Sequence, residues 1–315
     1  MSLGSALGQQ VPNPFASLVA SGPLSQPTIL RSQLLRPWPQ YQTLFGEGEN
    51  VGHSSYHAFQ LQFKQRFASG IATLGYTVSK AIGNTENRSD FQELSGSALG
   101  SDGFADIYNR GLNRAVAIQD TPQRLVVGYS FELPFGPGKK LLNNRSPFSC
   151  AISGWEVNGI YTAQVGNPLA LYNVNNLIGN YTPVTDVYGT FNSNSFPSNN
   201  GQSSKLTGAP GTRLNQWFNT SVFFQPAPYT YGTTGRTVTS MRGDGQNNLD
   251  LGIFKNNHFG KDGRFNLQLR GEFFNVANHV RFGFPGLAFG NATFGVISTQ
   301  YNNPRQVQVA AKFIF

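Results

Sequence analysis

The chain is organised by a strict alternation of apolar and polar side chains. Between His57 and Phe67, apolar residues such as Phe59 and Leu61 alternate with glutamines and basic residues. Successive side chains of a β-strand point to opposite faces, so this period of two predicts a strand with one apolar face. The pattern recurs along the chain and predicts seven long strands, at about 57–67, 71–80, 124–135, 155–165, 248–253, 264–274 and 306–315.

The connections between these strands alternate in length. Segments 68–70 and 260–263 are too short for a crossover, so the strands that they join must be antiparallel. We therefore predict one antiparallel meander in sequence order, with longer connections at 81–123, 136–150, 167–246 and 276–304. The sheet face that the first two strands should share carries Phe59, Leu61, Phe63, Leu74 and Tyr76.

Strand length and polarity together indicate a membrane barrel. A tilted strand of about ten residues crosses a bilayer, and outer-membrane barrels alternate short turns with long loops. The positions opposite the apolar face carry mainly Gln, Asn, Ser, Thr and Gly, which suits a lumen better than a surface facing bulk water. The predicted fold is all-β, an antiparallel up-and-down transmembrane β-barrel segment of about seven long strands in an incomplete barrel. Residues 1–53 are predicted as an irregular lead-in and 54–315 as the barrel portion.

Composition excludes several other classes. Charged residues make up only 12% of the 315 residues and aromatic residues 13%, which disfavours both disorder and a coiled coil. The net charge of +8 is spread along the chain without a dense basic run, so we expect no nucleic-acid partner. The single cysteine, Cys150, excludes an internal disulfide, and residues 1–10 show no signal peptide.

The chain ends in an alternating strand whose apolar positions lead to Phe313 and Phe315. A terminal phenylalanine after such a strand resembles the sorting signal that the barrel-assembly machinery reads in bacterial outer-membrane proteins. We therefore expect Phe313 and Phe315 to form an assembly signal.

An ordered set of short segments resembles the C-terminal barrel of TonB-dependent receptors, in particular the Oar-like, acidobacterial group with a carboxypeptidase-regulatory-like domain. No single tetrapeptide is specific, but the segments follow the family order over nearly the whole chain. They are QVPNPF at 10–15, QLLRP at 33–37, YTVSK at 76–80, FELPFG at 131–136, GWEVNG at 154–159, WFNT at 217–220, FKN at 254–256, RGEFFN at 270–275, and PRQ at 304–306 leading to FIF at 313–315.

This resemblance implies a receptor in the Gram-negative outer membrane that takes up a scarce or large solute with energy from the TonB complex. It also implies a plug domain and further barrel strands, which have no counterpart in this sequence, so the chain is expected to be a fragment. The implied partners are outer-membrane lipid, the plug and remaining strands, the TonB complex through the plug, the barrel-assembly machinery and an unknown solute.

Seven charged residues share the parity expected of the lumen. They could form a charge ladder that contacts the plug or steers solute, and the alternative is structural cross-strand pairing, which we favour. The seven residues are Lys64, Arg66, Glu132, Glu156, Asp250, Arg270 and Glu272.

Aromatic residues in the longest connection form a second candidate site. Trp217, Phe218, Tyr229 and Tyr231 could contact a solute, or they could pack the loop onto itself, and the sequence favours neither interpretation.

No catalytic or cofactor chemistry is indicated. His53 and His57 lack a third ligand at a metal-binding spacing, and Arg242-Gly243-Asp244 is an adhesion-type tripeptide that we interpret as chance. We therefore expect neither an enzyme nor a cofactor. The alternatives are a small porin or adhesin of eight strands, with the extra strand from 28–45 or 293–299, and a soluble β-rich binding module.

Overall fold

A computed structural model of the chain describes residues 4–41, 50, 52–84, 109–144, 146–174, 196–227 and 230–315. Seven long strands dominate it, each built from an alternating segment of the sequence. They are β1 (Ser54–Phe67), β2 (Gly70–Gly83), β3 (Gln123–Glu132), β4 (Trp155–Gln164), β5 (Gln246–Phe259), β6 (Phe265–Phe274) and β7 (Gln306–Ile314).

The seven strands form one antiparallel sheet in sequence order, from β1 at one edge to β7 at the other. This confirms the predicted meander. In the first hairpin Leu61 lies opposite Tyr76 and Phe63 lies opposite Leu74, so these side chains share a face, as the alternation predicted.

Shorter elements surround this sheet. Two short helices, α1 (Arg31–Leu34) and α2 (Pro147–Ile152), lie outside it. The short strands are Gln10–Pro12, Thr28–Leu30, Ala115–Val116, Pro168–Leu169, Tyr172–Asn173, Ser198–Asn199, Phe223–Phe224, Val238–Arg242 and Ala288–Phe289. Single 3-10 turns occur at Gly4–Gly8, Pro23–Ser25, Arg110–Asn113, Pro210–Thr212, Thr220–Val222 and Lys261–Gly263.

The lead-in is more ordered than the sequence indicated. Gln10–Pro12 pairs with Thr28–Leu30, and the connection between them is fastened by one asparagine side chain. The Asn13 Nδ2 atom donates hydrogen bonds to the carbonyl oxygens of Leu24 and Gln26, at 2.8 and 2.7 Å. The prediction of a wholly irregular lead-in is therefore wrong for the described residues up to 41, because a side-chain amide can fix a loop that has no periodic pattern.

One predicted strand ends early. The alternation extends to Phe135, but β3 ends at Glu132. Pro134 has no N–H group to donate to a neighbouring strand, and Phe135 instead forms a bridge with Leu141 in the following turn.

The two ends of the sheet differ in their connections. At one end, which we call the turn rim, the links are 68–69, 133–154 and 260–264. At the other end, the loop rim, the links are 84–122, 165–245 and 275–305. This one-sided arrangement of long connections is typical of outer-membrane barrels.

The sheet is open, with β1 and β7 as its edges. Because the meander has an odd number of strands, β1 and β7 run in the same direction. Direct closure of the sheet would therefore need a parallel pair between β1 and β7. Among the described residues, the eighth strand of the porin alternative is not found where it was expected: Thr28–Leu30 pairs within the lead-in, and 293–299 belongs to the loop rim.

The long connections build a hydrophobic core of their own, which we call the loop core. Trp217, Phe218 and Phe223 pack there against side chains from the connection after β6, such as Leu287 and Ile297. Edge-to-face ring contacts join Phe218 to Phe223 at 5.9 Å and to Phe294 at 5.1 Å. The further core members are Leu169, Leu171, Val222 and Met241. Segment 167–246 is therefore more than an irregular loop in its described part.

Buried charge fastens two of the three long connections to each other. Arg242 Nη2 lies 2.7 Å from Asp120 Oδ2, and the Asp120 side chain is only 2% exposed. Asp120 Oδ1 also accepts a hydrogen bond from the Ala81 N–H group at 2.7 Å. Nearby, Arg236 donates to the carbonyl oxygens of Asn113 and Gly83. The connection after β2 is thus held by the connection after β4.

We predict that Asp120→Asn loosens the loop rim. Removing one partner of a buried ion pair leaves the other charge uncompensated, at about 3 kcal/mol. Two amides should then exchange with solvent on the order of a hundredfold faster. They are Ala81, which donates to Asp120, and Gly243, which follows Arg242 and donates to the Asn167 carbonyl oxygen. Hydrogen–deuterium exchange of the purified protein measures this.

Glu132→Gln is the matched control, because Glu132 pairs with Lys139 at 2.6 Å but both side chains are more than a third exposed. An exposed pair contributes about 1 kcal/mol or less. Equal exchange in the two variants would show that the buried pair does not hold the connections.

Candidate functional site: two sheet faces and the loop rim

The register keeps the apolar positions of all seven strands on one side of the sheet, which we call the apolar face. Residues directly opposite each other in neighbouring strands share a face. Tyr76 faces Leu125, Val127 faces Tyr161, Leu251 faces Phe273, and the series continues into the last strand. The apolar face comprises Phe59, Leu61, Phe63, Leu74, Tyr76, Leu125, Val127, Tyr129, Val157, Tyr161, Leu249, Leu251, Ile253, Leu267, Leu269, Phe273, Val307, Val309 and Phe313.

This face is exposed where a water-soluble protein would bury it. Phe59 is 65% exposed and Val309 is 82% exposed. All buried hydrophobic side chains among the described residues lie outside the seven long strands. A contiguous apolar surface of this size requires an apolar environment.

Aromatic rings concentrate on the apolar face at the turn rim. Phe259, Phe265 and Phe313 form a cluster with ring centroids 5.7–6.0 Å apart. Phe315 stacks on Phe313 at 6.2 Å and is 86% exposed. The two residues predicted as an assembly signal thus belong to an exposed aromatic rim.

A tyrosine and a glycine interlock on the same face. Tyr129 lies opposite Gly159, and a Cβ atom added to Gly159 would lie 2.7 Å from the Tyr129 hydroxyl oxygen. Only glycine leaves room for the ring to lie flat on the neighbouring strand. Gly159, the last residue of the GWEVNG segment, therefore has a packing role.

The opposite, polar face carries all seven charged residues predicted for the lumen. Their register contradicts cross-strand ion pairing between directly opposite residues. Glu132 faces Glu156, and Arg270 faces Phe254 and Ala310. Lys64 faces Thr73, Arg66 faces Ile71, Asp250 faces Ile160, and Glu272 faces Gly252 and Gln308. No two of these seven residues with opposite charges lie directly opposite each other, so direct cross-strand pairing does not account for them.

Two of these charges, Glu156 and Arg270, contact neutral partners. Glu156 accepts a hydrogen bond from Ser130 Oγ at 2.7 Å. Arg270 Nε donates to Gln268 at 2.6 Å, and its guanidinium carbon lies 4.9 Å from the centroid of the Phe254 ring. Side-chain amides extend this network, because Gln268 also donates to Asn256. The polar face is a hydrated, hydrogen-bonding surface with few fixed ion pairs.

Asp250 anchors the last long connection at the loop rim. Its Oδ1 atom accepts a hydrogen bond from the Asn275 backbone at 2.8 Å. The Asn275 side chain then donates to the carbonyl oxygens of His279 and Asn303. Asn275 has a positive φ of 50°, which asparagine tolerates better than most residues.

The aromatic residues predicted to contact a solute separate into two groups. Trp217 and Phe218 are 5% and 1% exposed and belong to the loop core, so they pack the loop and are out of reach of a solute. Tyr231 is 39% exposed at the surface. Tyr229 lies outside the described residues.

The adhesion-type tripeptide has a structural role. Arg242 pairs with Asp120, and its carbonyl oxygen accepts a hydrogen bond from Trp217 Nε1 at 2.7 Å. Asp244 accepts one from the Phe282 backbone at 2.9 Å. The tripeptide was interpreted as chance, and the structure uses it to join the long connections.

Within the described ranges, no three His, Cys, Asp or Glu side chains gather closely enough to hold a metal ion. No helix of the described chain is both long and apolar enough to cross a membrane.

Comparison with known proteins agrees with the geometry of the two faces. Residues 4–308 match the family model described as outer membrane beta barrel domain. No curated protein matches the chain. The match covers nearly all of the sequence, and it excludes the soluble binding module considered above. The chain therefore belongs to the outer membrane beta barrel domain family.

Proposed function

We propose that this chain forms part of the barrel of a TonB-dependent receptor of the Oar-like type, which takes up a scarce or large solute across the outer membrane. The apolar face contacts lipid and the polar face lines the lumen. The chain itself catalyses no reaction and binds no cofactor. Energy comes from the TonB complex, acting through a plug domain inside the completed barrel.

The observation that carries the proposal is the separation of two faces across an open sheet of seven strands. Backbone groups at a free edge cannot remain unpaired in lipid, so β1 and β7 need further strands. The β1 and β7 edges run in the same direction, and an antiparallel closure therefore needs an odd number of additional strands. One further strand gives the eight of the small porin alternative, and three or more give the larger barrel that the receptor proposal requires.

The resemblance to Oar-like receptors supports the energy-coupled version of this function. Several of its segments lie at fixed points of the fold. Asn13 fastens the lead-in, Gly159 accommodates Tyr129, and Asn275 fixes the last long connection. These positions tie the motif residues to physical requirements of the fold.

The uncompensated charges of the polar face suit a wet lumen that contacts a plug or guides a solute. Lys64 and Arg66 lie on this face without an acidic residue directly opposite. The exposed Tyr231 remains the described aromatic candidate for solute contact in the predicted loop site.

We infer from the same resemblance that Phe313 and Phe315 are read by the barrel-assembly machinery. Phe315→Asp should reduce the amount of folded protein in the outer membrane more than tenfold, although a charge near the interface costs only about 0–1 kcal/mol in the folded barrel. Heat-modifiable mobility of the complete gene product in outer-membrane fractions measures this. Equal amounts of folded protein in wild type and variant would contradict the inference.

Two adjacent valines test which face contacts lipid. Val127 lies on the apolar face near the middle of β3, and Val126 lies on the polar face. Val127→Arg should destabilise the folded barrel by about 2–4 kcal/mol, because it places a charge near the bilayer midplane. Val126→Arg should have much less effect, since its side chain enters the lumen.

Urea titration of the complete product in phospholipid vesicles, followed by heat-modifiable mobility, gives both free energies of unfolding. If Val126→Arg were the more destabilising of the two, the faces would be assigned the wrong way round.

Energy coupling is tested in the source bacterium by following depletion of solutes from the growth medium with mass spectrometry. We expect that deleting this gene abolishes depletion of one compound, and that deleting TonB in a separate strain abolishes depletion of the same compound. A proton ionophore should have the same effect in the wild type. Depletion that requires the gene but persists without TonB would indicate a passive channel and overturn the proposal.

A further inference from the structure

Basic side chains gather at the turn rim. They outnumber the acidic residues of this rim, which by sequence are Glu132, Glu156 and Asp262. A rim of positive charge next to a belt of aromatic rings is a surface for negatively charged groups at a membrane boundary. The basic residues are Lys64, Arg66, Lys139, Lys140, Lys255, Lys261, Arg264 and Lys312.

Lys255 interrupts the apolar face at this rim. It lies directly opposite Trp155, and its Nζ atom is 5.8 Å from the centroid of the Trp155 ring. The same atom donates a hydrogen bond to the Ser153 carbonyl oxygen at 2.6 Å, just beyond the start of β4. The ammonium group is therefore directed to the end of the sheet, as in a lysine that places its stem along lipid and its charge at the interface.

Arg264 repeats this arrangement one hairpin further along. It ends the turn between β5 and β6, and its guanidinium carbon lies 5.7 Å from the centroid of the Phe265 ring. Phe265 belongs to the exposed aromatic cluster with Phe259 and Phe313. Each cation is thus paired with a ring on the apolar face, at the end of the sheet.

We propose that the turn rim binds the phosphate groups of anionic phospholipids, with Trp155–Lys255 and Phe265–Arg264 as its two contact points. The rings reach the level of the glycerol backbone, and the cations above them meet the headgroup phosphates. Lys64 and Lys312 carry the same charge at the same rim but lie on the polar face, so lipid cannot reach them. The proposal rests on the membrane location of the sheet and is independent of the uptake function.

The test measures the unfolding equilibrium of the complete protein at low salt in two kinds of vesicle. One kind is phosphatidylcholine alone, and in the other phosphatidylglycerol makes up three parts in ten of the lipid. Phosphatidylglycerol should lower the unfolding equilibrium constant of the wild type, by on the order of fivefold for each contacting cation. Lys255→Gln with Arg264→Gln should remove most of this gain.

Lys64→Gln with Lys312→Gln is the matched control, because it removes two cations from the same rim on the other face. It should keep the gain. If both double variants lost the stabilisation by phosphatidylglycerol equally, net charge alone would be responsible. If the variant at Lys255 and Arg264 kept the full stabilisation, these cations would not bind lipid. Either result overturns the proposal.

A second measurement leaves Lys255 and Arg264 unchanged, so it does not depend on the folding of their variants. Brominated phosphatidylglycerol should quench the fluorescence of Trp155 more strongly than brominated phosphatidylcholine at equal mole fraction. Subtracting the signal of Trp155→Phe removes the contribution of Trp38 and Trp217. Equal quenching by the two lipids would contradict the proposal.

Discussion

The structure depends on the parity of backbone pairing between strands. A shift of one residue in any of the six pairings would turn every later side chain to the opposite face. The register avoids this through β1 to β7, so that the residues of the apolar face stay on one side of the sheet. Short turns fix the parity of two pairings, since only residues 68–69 separate Phe67 from Gly70 and only five residues separate Phe259 from Phe265.

Parity also explains where the buried core lies. A single sheet with one apolar side in lipid and one polar side in water has no interior of its own, so its seven long strands bury no large apolar side chain. The long connections at the loop rim meet water on their outer side and must bury apolar area within themselves. The loop core around Phe218 and Leu169 and the buried pair of Asp120 and Arg242 meet this requirement. The sheet relies on lipid, and the loop rim relies on ordinary globular packing.

This division determines how much the sequence could predict. The strands and their faces follow from a local period of two, and the register is compatible with it almost everywhere. Two exceptions lie side by side in β5, where Phe254 falls on the polar face and Lys255 on the apolar face. Both have a partner that the period does not encode: the Arg270 guanidinium lies over Phe254, and Lys255 lies beside Trp155.

The loop rim could not be predicted in the same way, because its contacts join residues that are far apart in the sequence. Asp120 and Arg242 are separated by 122 positions, and neither belongs to a repeating pattern. The tripeptide at 242–244 resembles an adhesion motif in sequence, and this resemblance does not indicate its contacts with the other connections. Trp217 and Phe218 show the same limit, since an aromatic residue in a polar segment is compatible with either a core or a binding surface. Only the tertiary contacts distinguish these two roles.

The two rims therefore respond differently to sequence change. At the loop rim, a substitution inside the loop core or the Asp120 pair alters how three connections are held together, while the strand register below is set by separate backbone contacts. At the turn rim two of the connections are short, and the exposed rings of Phe259 and Phe313 belong to the strands themselves, so a change there acts on the sheet directly. Sequence variation can accumulate at the loop rim for this reason, whereas the turn rim is constrained by strand pairing and by the exposed rings that it presents.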